Sequence, residues 1–415
     1  MSRFLLFLAF VAFTLTEVQS PRFGDEERRL FAPFVPLILG GAVLLLSPRL
    51  MRMPHAVVAS PPVVWLLAYL GWVAVTTVWS GNVAESAFAL TILVLAVLVG
   101  IGLSGLPTDL SMRAFVASAV VVSLMGWLGL AAGQTAMLSD NPFIWRFKSI
   151  LTHEQRLALL TGLAATFVMM WLTDREHGLS RRVLVLCSVL AVCLASLAGT
   201  QARFFTAVSM LMILGVMIYR LRRDMGSTFL LLTLSGVAGA CLMIIAATLL
   251  SRGDADGTLT NRIPIWLMTL DAIRDEPIVG HGLATFRFGA VDKWNWVPAH
   301  AHNMWLNAAF ENGWPAALLL TAFFISTIRS GIAYTRAFGV LSPALVTSVY
   351  CMITGMMGIT AGSNKLSPIY GLIILLICQE AREMALLRRI TPNPRSNAGE
   401  GYPVSIVTTR EAIRS

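Results

Sequence analysis

Three short runs of this sequence gather arginine, histidine and glycine in patterns suited to phosphate and hydroxyl chemistry. They are Thr258-Leu259-Thr260-Asn261-Arg262-Ile263-Pro264-Ile265-Trp266, Glu276-Pro277-Ile278-Val279-Gly280-His281-Gly282 and Ala299-His300-Ala301-His302-Asn303. All fall in a polar stretch, 251–303, that interrupts otherwise apolar sequence. From Asn261 to Arg274 the apolar residues Ile263, Trp266, Leu270 and Ile273 recur at helical spacing. Thr260 or Asn261 can cap the start, and Pro277 with Gly280 ends the pattern. The expected element is an amphipathic helix lying on a membrane surface.

Arg262 then stands at a helix N-terminus, where unpaired N–H groups and the helix dipole already favour an anion. A guanidinium there can grip a phosphate through two parallel hydrogen bonds. Pairing with Asp254 or Asp256 is the plainer alternative. His302 offers an imidazole that is neutral near physiological pH and able to act as a general base. His300 and His302 are two residues apart and share a face only in extended chain. A metal pair is one reading of them, although no third ligand stands at a recognisable spacing and the H-E-x-x-H pattern is absent. A solvated or capping histidine ahead of a helix is the bland reading. Gly280-His281-Gly282 reads as a tight turn. Phe286, Phe288, Trp294 and Trp296 are interfacial anchors or sugar-stacking surfaces.

These residues need a scaffold, and the composition names it. Of 415 residues, 56% are hydrophobic and 13% charged, against about 25% charged in a soluble domain. Apolar stretches near the ~20 residues that cross a bilayer occur at 4–18, 31–47, 62–79, 86–105, 113–132, 156–173, 182–199, 204–220, 228–250, 307–328, 338–360 and 365–380. Leu, Ala, Val and Gly dominate, and no barrel-like alternation appears. The fold class is therefore all-α: a polytopic integral membrane protein of about 12 transmembrane helices with one large periplasmic loop. The divisions are an N-terminal transmembrane bundle (1–250), a periplasmic catalytic loop (251–303), C-terminal transmembrane helices (304–381) and a cytoplasmic, disordered tail (382–415).

Basic residues fix the sidedness. Arg49/Arg52, Arg175/Arg181/Arg182, Arg220/Arg222/Arg223, Arg329/Arg336 and Arg382/Arg388/Arg389 fall in alternate connections, which the positive-inside rule puts in the cytoplasm. The loops 133–155 and 251–303 then face outward, and so does the turn ending in Arg203. Arg146, Lys148 and His153 are on that same side. Arg203 is either a snorkelling residue or, with Arg262 and Arg146, part of a convergent anion site. The first apolar segment reads as a span or as a signal peptide ending near Ser20. A net charge of +9 is accounted for by these loop arginines and calls for no nucleic-acid partner. All five cysteines fall in expected spans, so neither a disulfide framework nor a C-x-x-C site is on offer.

The order Arg262-x3-Trp266, Pro277, Gly280-x-Gly282, Ala301-His302-Asn303-x-x-Leu306 and Glu311-x-Gly313 resembles the bacterial O-antigen ligase and polysaccharide polymerase superfamily. Thr152-His153-Glu154 looks like a worn form of the family's His-Lys-Asn position, and Gln201-Ala202-Arg203 resembles its Ser-Arg turn with Gln for Ser. The resemblance implies metal-independent glycosyltransfer, with no cofactor, at the outer face of the inner membrane. It implies an undecaprenyl-diphosphate-linked glycan donor and membrane lipid as partners. The acceptor is lipid A-core in a ligase, or another lipid-linked glycan repeat in a polymerase. Carried over, Arg262 and Arg203 hold the diphosphate and His302 acts on the acceptor hydroxyl. Arg146, His153, Trp266, His281, His300 and Asn303 are expected around the substrate, His281 in a lesser role because an aromatic residue often stands there. A lipid or polysaccharide transporter is the non-enzymatic alternative, disfavoured because the expected spans carry almost no charge at mid-depth.

Overall fold

A computed structural model of the protein describes residues 1–17, 34–52, 55–138, 146–151, 153–173, 181–221, 262–286, 300–360 and 366–390. They are helical almost throughout. In chain order the helices are α1 (Ser2–Leu15), α2 (Phe34–Met51), α3 (Pro61–Thr76), α4 (Val83–Gly102), α5 (Thr108–Ala131), α6 (Glu154–Leu172), α7 (Arg181–Gly199), α8 (Arg203–Leu221), α9 (Arg262–Asp275), α10 (Met304–Phe338), α11 (Pro343–Gly355) and α12 (Pro368–Ile390). A four-residue helix, His55–Val58, precedes α3.

Eight of these, α2 to α8 and α10, are long and apolar enough to cross a membrane by length and composition. The expected spans at 4–18 and 338–360 correspond to shorter apolar helices, Ser2–Leu15 and Pro343–Gly355. The expected span at 228–250 lies outside the described residues, as do the tail beyond 390 and the loop 222–261. The expected helix at 307–328 is longer than anticipated, running from Met304 to Phe338 before Gly339 ends it at φ 65°.

The centre of the bundle is α12. Leu372 to Cys378 are all buried, as befits a helix that is apolar all round. Gly371 lies against the ring of Phe13 and Gly100 against Ile374, so small residues let α1 and α4 approach it closely. Phe10 meets Phe115 edge-on at 6.2 Å. Thr16 donates to the Leu366 carbonyl at 2.6 Å. The first helix is thus a packed member of the bundle.

The start of α10 is where the fold meets the chemistry. Asn303 caps it, its Oδ1 accepting from the N–H groups of Trp305 (3.0 Å) and Leu306 (3.1 Å). Ten residues on, Gly313 breaks the helical path at φ 75°, ψ 170°, and Pro315 follows. Pro315 has no N–H to give Glu311, and that carbonyl accepts instead from Gly282 N–H at 2.7 Å. Trp314 N–H donates to Pro277 O, and the Phe310 carbonyl takes His281 N–H, both at 2.9 Å. Trp72 Nε1 donates to Asn312 O at 2.7 Å, tying the kink to α3. A Cβ on Gly313 would collide with the Ile278 carbonyl, and one on Gly280 would lie 2.5 Å from Gly313 N. The Gly280-x-Gly282 and Glu311-x-Gly313 motifs are therefore two sides of one main-chain seam.

Candidate functional site

α9 forms where the pattern places it, and one of its faces is buried against the protein. Ile265, Thr269, Ala272 and Ile273 are buried against α10. Ile263 and Leu267, by contrast, are 42% and 62% exposed. Apolarity alone does not separate a protein-facing stripe from a lipid-facing one, so the sequence showed a helix but not its rotation. The helix is anchored from its far end, where His281 Nε2 bonds the Ala272 carbonyl at 3.0 Å and the His281 ring packs on Phe310 at 4.5 Å. Both contacts of His281 are internal to the protein.

The guanidinium of Arg262 is half-buried at the start of α9, where Nη1 meets a soft partner, Met357 Sδ, at 3.7 Å. Among the described residues no carboxylate pairs with it; Asp254 and Asp256 lie outside them. Burial lowers its pKa. A half-buried arginine that meets no carboxylate among the described residues is suited to an anion.

His302 sits beside it. Its pKa is pushed down to about 4, first by burial and then by the positive charges of Arg262, His153 and Arg156. The ring is therefore neutral at physiological pH, and its Nδ1 is buried without a hydrogen-bond partner. His302 also takes φ 52°, a left-handed conformation unusual for a residue with a side chain, worth roughly 1–3 kcal/mol of strain. The strain is held by neighbours: His302 N–H donates to His300 Nδ1 at 3.1 Å, and the two rings stand 4.0 Å apart. Asn303 Nδ2 reaches the Met356 carbonyl at 3.4 Å. With His300 Nδ1 occupied in this way, the pair is arranged as a buttress. Among the described residues no group of three His, Cys, Asp or Glu side chains is placed to hold a metal ion.

A second arm comes from the start of α6. His153 caps that helix, its Nδ1 accepting from Gln155 N–H at 3.2 Å, while the ring stays 51% exposed. Behind it Glu154 is buried between His153 (3.2 Å) and Arg146 (3.1 Å). Arg146 thus joins the group through a carboxylate. Arg156, three residues past His153 and so on the same helical face, donates to Ile359 O at 2.7 Å. Reading the worn motif as Thr152-His153-Glu154 stopped short of it; an arginine in the first turn of the same span was the available signal.

What unites these arms is the turn Met356–Thr360 after α11. It meets Asn303 through Met356, Arg262 through Met357 and Arg156 through Ile359. Gly358 faces the ring of Phe205, two residues beyond Arg203. Arg203 itself is exposed at the first position of α8, after Gln201 at φ 51°. The turn before it meets the segment that bears Arg146, Phe147 N–H donating to Gly199 O at 2.9 Å. Trp266, one turn into α9, has a buried Nε1 without a partner. Of the expected residues, Arg262, His302, His300, Asn303, His153 and Arg146 are linked by contacts or electrostatics, and Arg203 borders them through Phe205.

A bundle with eight helices long and apolar enough to cross a membrane defines a class: multi-pass membrane proteins. Residues 142–321 match the family model described as O-antigen ligase. Over that segment the chain is similar to O-antigen ligases. The match spans Arg146, Arg203, Arg262 and His302, and stops short of the Met356–Thr360 turn. No curated protein matches the chain.

Proposed function

We propose that the protein transfers a glycan from undecaprenyl diphosphate to an acceptor hydroxyl at the periplasmic face of the inner membrane, as an O-antigen ligase with lipid A-core as acceptor. The observation that carries this reading is Arg262: desolvated, lacking a carboxylate among the described residues, and next to a neutral His302. The acceptor O–H gives its proton to His302, its oxygen bonds the anomeric carbon, and the bond from that carbon to the diphosphate breaks. The leaving group carries about two negative charges, and preorganised donors there contribute ~3–4 kcal/mol each to transition-state stabilisation. Arg262 and Arg203 supply them, with Arg146 behind. Trp266 and His153 border the substrate, and His300 and Asn303 hold His302. With Nδ1 enclosed, Nε2 is the nitrogen left to take the proton. Residues 251–303 act as the catalytic loop, and the polyprenyl tail stays in the bilayer beside the helices.

The low proton affinity of His302 fits this order of events. While the site is unliganded, cationic neighbours keep the imidazole free. Arrival of a diphosphate offsets their charge and raises its basicity as the acceptor hydroxyl needs it. The decisive experiment incubates protein in vesicles with a lipid-linked glycan donor and lipid A-core. Glycan-bearing core is the expected product; donor left intact refutes the reading. Polymerisation is the second reading, since it shares the donor chemistry. A deletion strain separates the two: ligase loss leaves bare core with accumulated lipid-linked polymer, and polymerase loss leaves single repeats.

A further inference from the structure

At the end of α1 a buried acid meets the site from outside the span matched to the family. Glu17 is 2% exposed, and neither of its carboxylate oxygens has a hydrogen-bond partner. Its Oε1 lies 3.7 Å from Arg156 Nη1, the same nitrogen that donates to Ile359 O at 2.7 Å. Beside the pair is a cavity of about 20 Å³, bordered by Glu17, Arg156, Thr360 and Ser367. The end of α1 is itself pinned, Thr16 donating to both Phe13 O and Leu366 O at 2.6 Å.

An acid buried this deeply is unfavourable unless a cation answers it. Ordinary packing would have placed an apolar residue here. What the acid does is set a negative charge 3.7 Å from one guanidinium nitrogen of Arg156, the residue bonded to the turn that Arg262 and Asn303 also contact. We propose that Glu17 is a positioning residue: through the buried pair it fixes Arg156 beside His302 as a further cation for the donor's diphosphate. The proposal rests on the glycosyltransfer reading above. It makes the first helix part of the working protein and gives Glu17 and Glu154 parallel tasks, each a buried acid orienting one arginine.

The test uses the full-length protein in vesicles, with polyprenyl diphosphate as a competing probe. Glu17→Gln removes the charge at constant shape, and Glu17→Asp keeps it at shorter reach. The expected result is a donor KM and a probe Ki raised about tenfold in Glu17→Gln, less in Glu17→Asp, with acceptor KM and folded yield unchanged. Arg156→Ala should match or exceed the loss, and Arg156→Lys should recover part of it. Wild-type donor KM in Glu17→Gln and Arg156→Lys overturns the proposal, leaving Arg156 as a pin for the turn. Failure of both Glu17 variants to fold overturns it equally, by assigning the pair to assembly alone. Arg262→Ala run in parallel separates the layers. If it loses donor affinity while the Glu17 variants do not, only this inference falls. If it too retains wild-type affinity, the diphosphate reading falls.

Discussion

The two ends of the bundle treat their polar groups in opposite ways. At the end far from His302, Glu380 in α12 is buried and fully answered. Ser342 Oγ donates to the carboxylate at 2.8 Å and Ala344 N–H does so at 2.8 Å, capping α11 from a neighbouring helix. Nearby, Glu383 accepts from Tyr334, and Asp109 takes both Arg113 and Trp171 Nε1. At the other end Arg262 has a thioether for company, while His302 Nδ1 and Trp266 Nε1 are buried without partners. One group is unmet at the far end too, Gln379 Oε1, and leaving a polar group unmet costs about 1–3 kcal/mol. The difference lies in the charged groups: Glu380 is answered by Ser342 and Ala344, whereas Arg262 meets no carboxylate among the described residues.

That contrast can be broken in order of effect. Replacing His302 with Ala should lower transfer by about 100- to 10,000-fold without loss of folded protein, since a general base supplies that range. Single-turnover rates on purified variant decide it, and near-normal turnover removes His302 from the mechanism. Arg262→Ala should lower transfer by about 100- to 1,000-fold with an unchanged melting temperature, because Arg262 has no ion pair within the described residues to lose. A large drop in melting temperature would make it a structural residue instead.

The acid limb of the rate profile sharpens the same point. A base works only when deprotonated, so activity falls as pH drops through its pKa. With that value lowered to about 4 in the free protein, kcat/KM should hold level from about pH 8 to about pH 5, and the limb of kcat should lie higher once donor is bound. A kcat/KM limb near the ordinary histidine value would contradict the buried environment. Arg203→Lys should lose nearly as much activity as Arg203→Ala if the fork of the guanidinium matters; a fully active lysine variant reduces Arg203 to a topological anchor. Smallest in its effect on activity is Ser342→Ala. It should destabilise the protein by about 1–3 kcal/mol while leaving transfer per folded molecule intact.

The sequence made the helical class and the place of α9 legible, because each rests on local pattern: apolar run length and helix-ending residues. What it hid was contributed by main chain. The Met356–Thr360 turn gathers Asn303 and Arg156 through carbonyls and Arg262 through a sulfur, and carbonyls carry no residue signature. The rotation of α9 was hidden for another reason, since Ile263 and Ile265 look alike on paper, yet one is exposed and the other buried. The motif glycines were legible as a turn, but not as a joint between two distant segments.

That joint has a consequence for substitution. Its bonds run from backbone to backbone, and at Gly280, Gly282 and Gly313 an added Cβ has no room. No side-chain exchange can loosen it by degrees; it is either kept or lost. Any side chain added there must shift the segment after α9 against the first turns of α10.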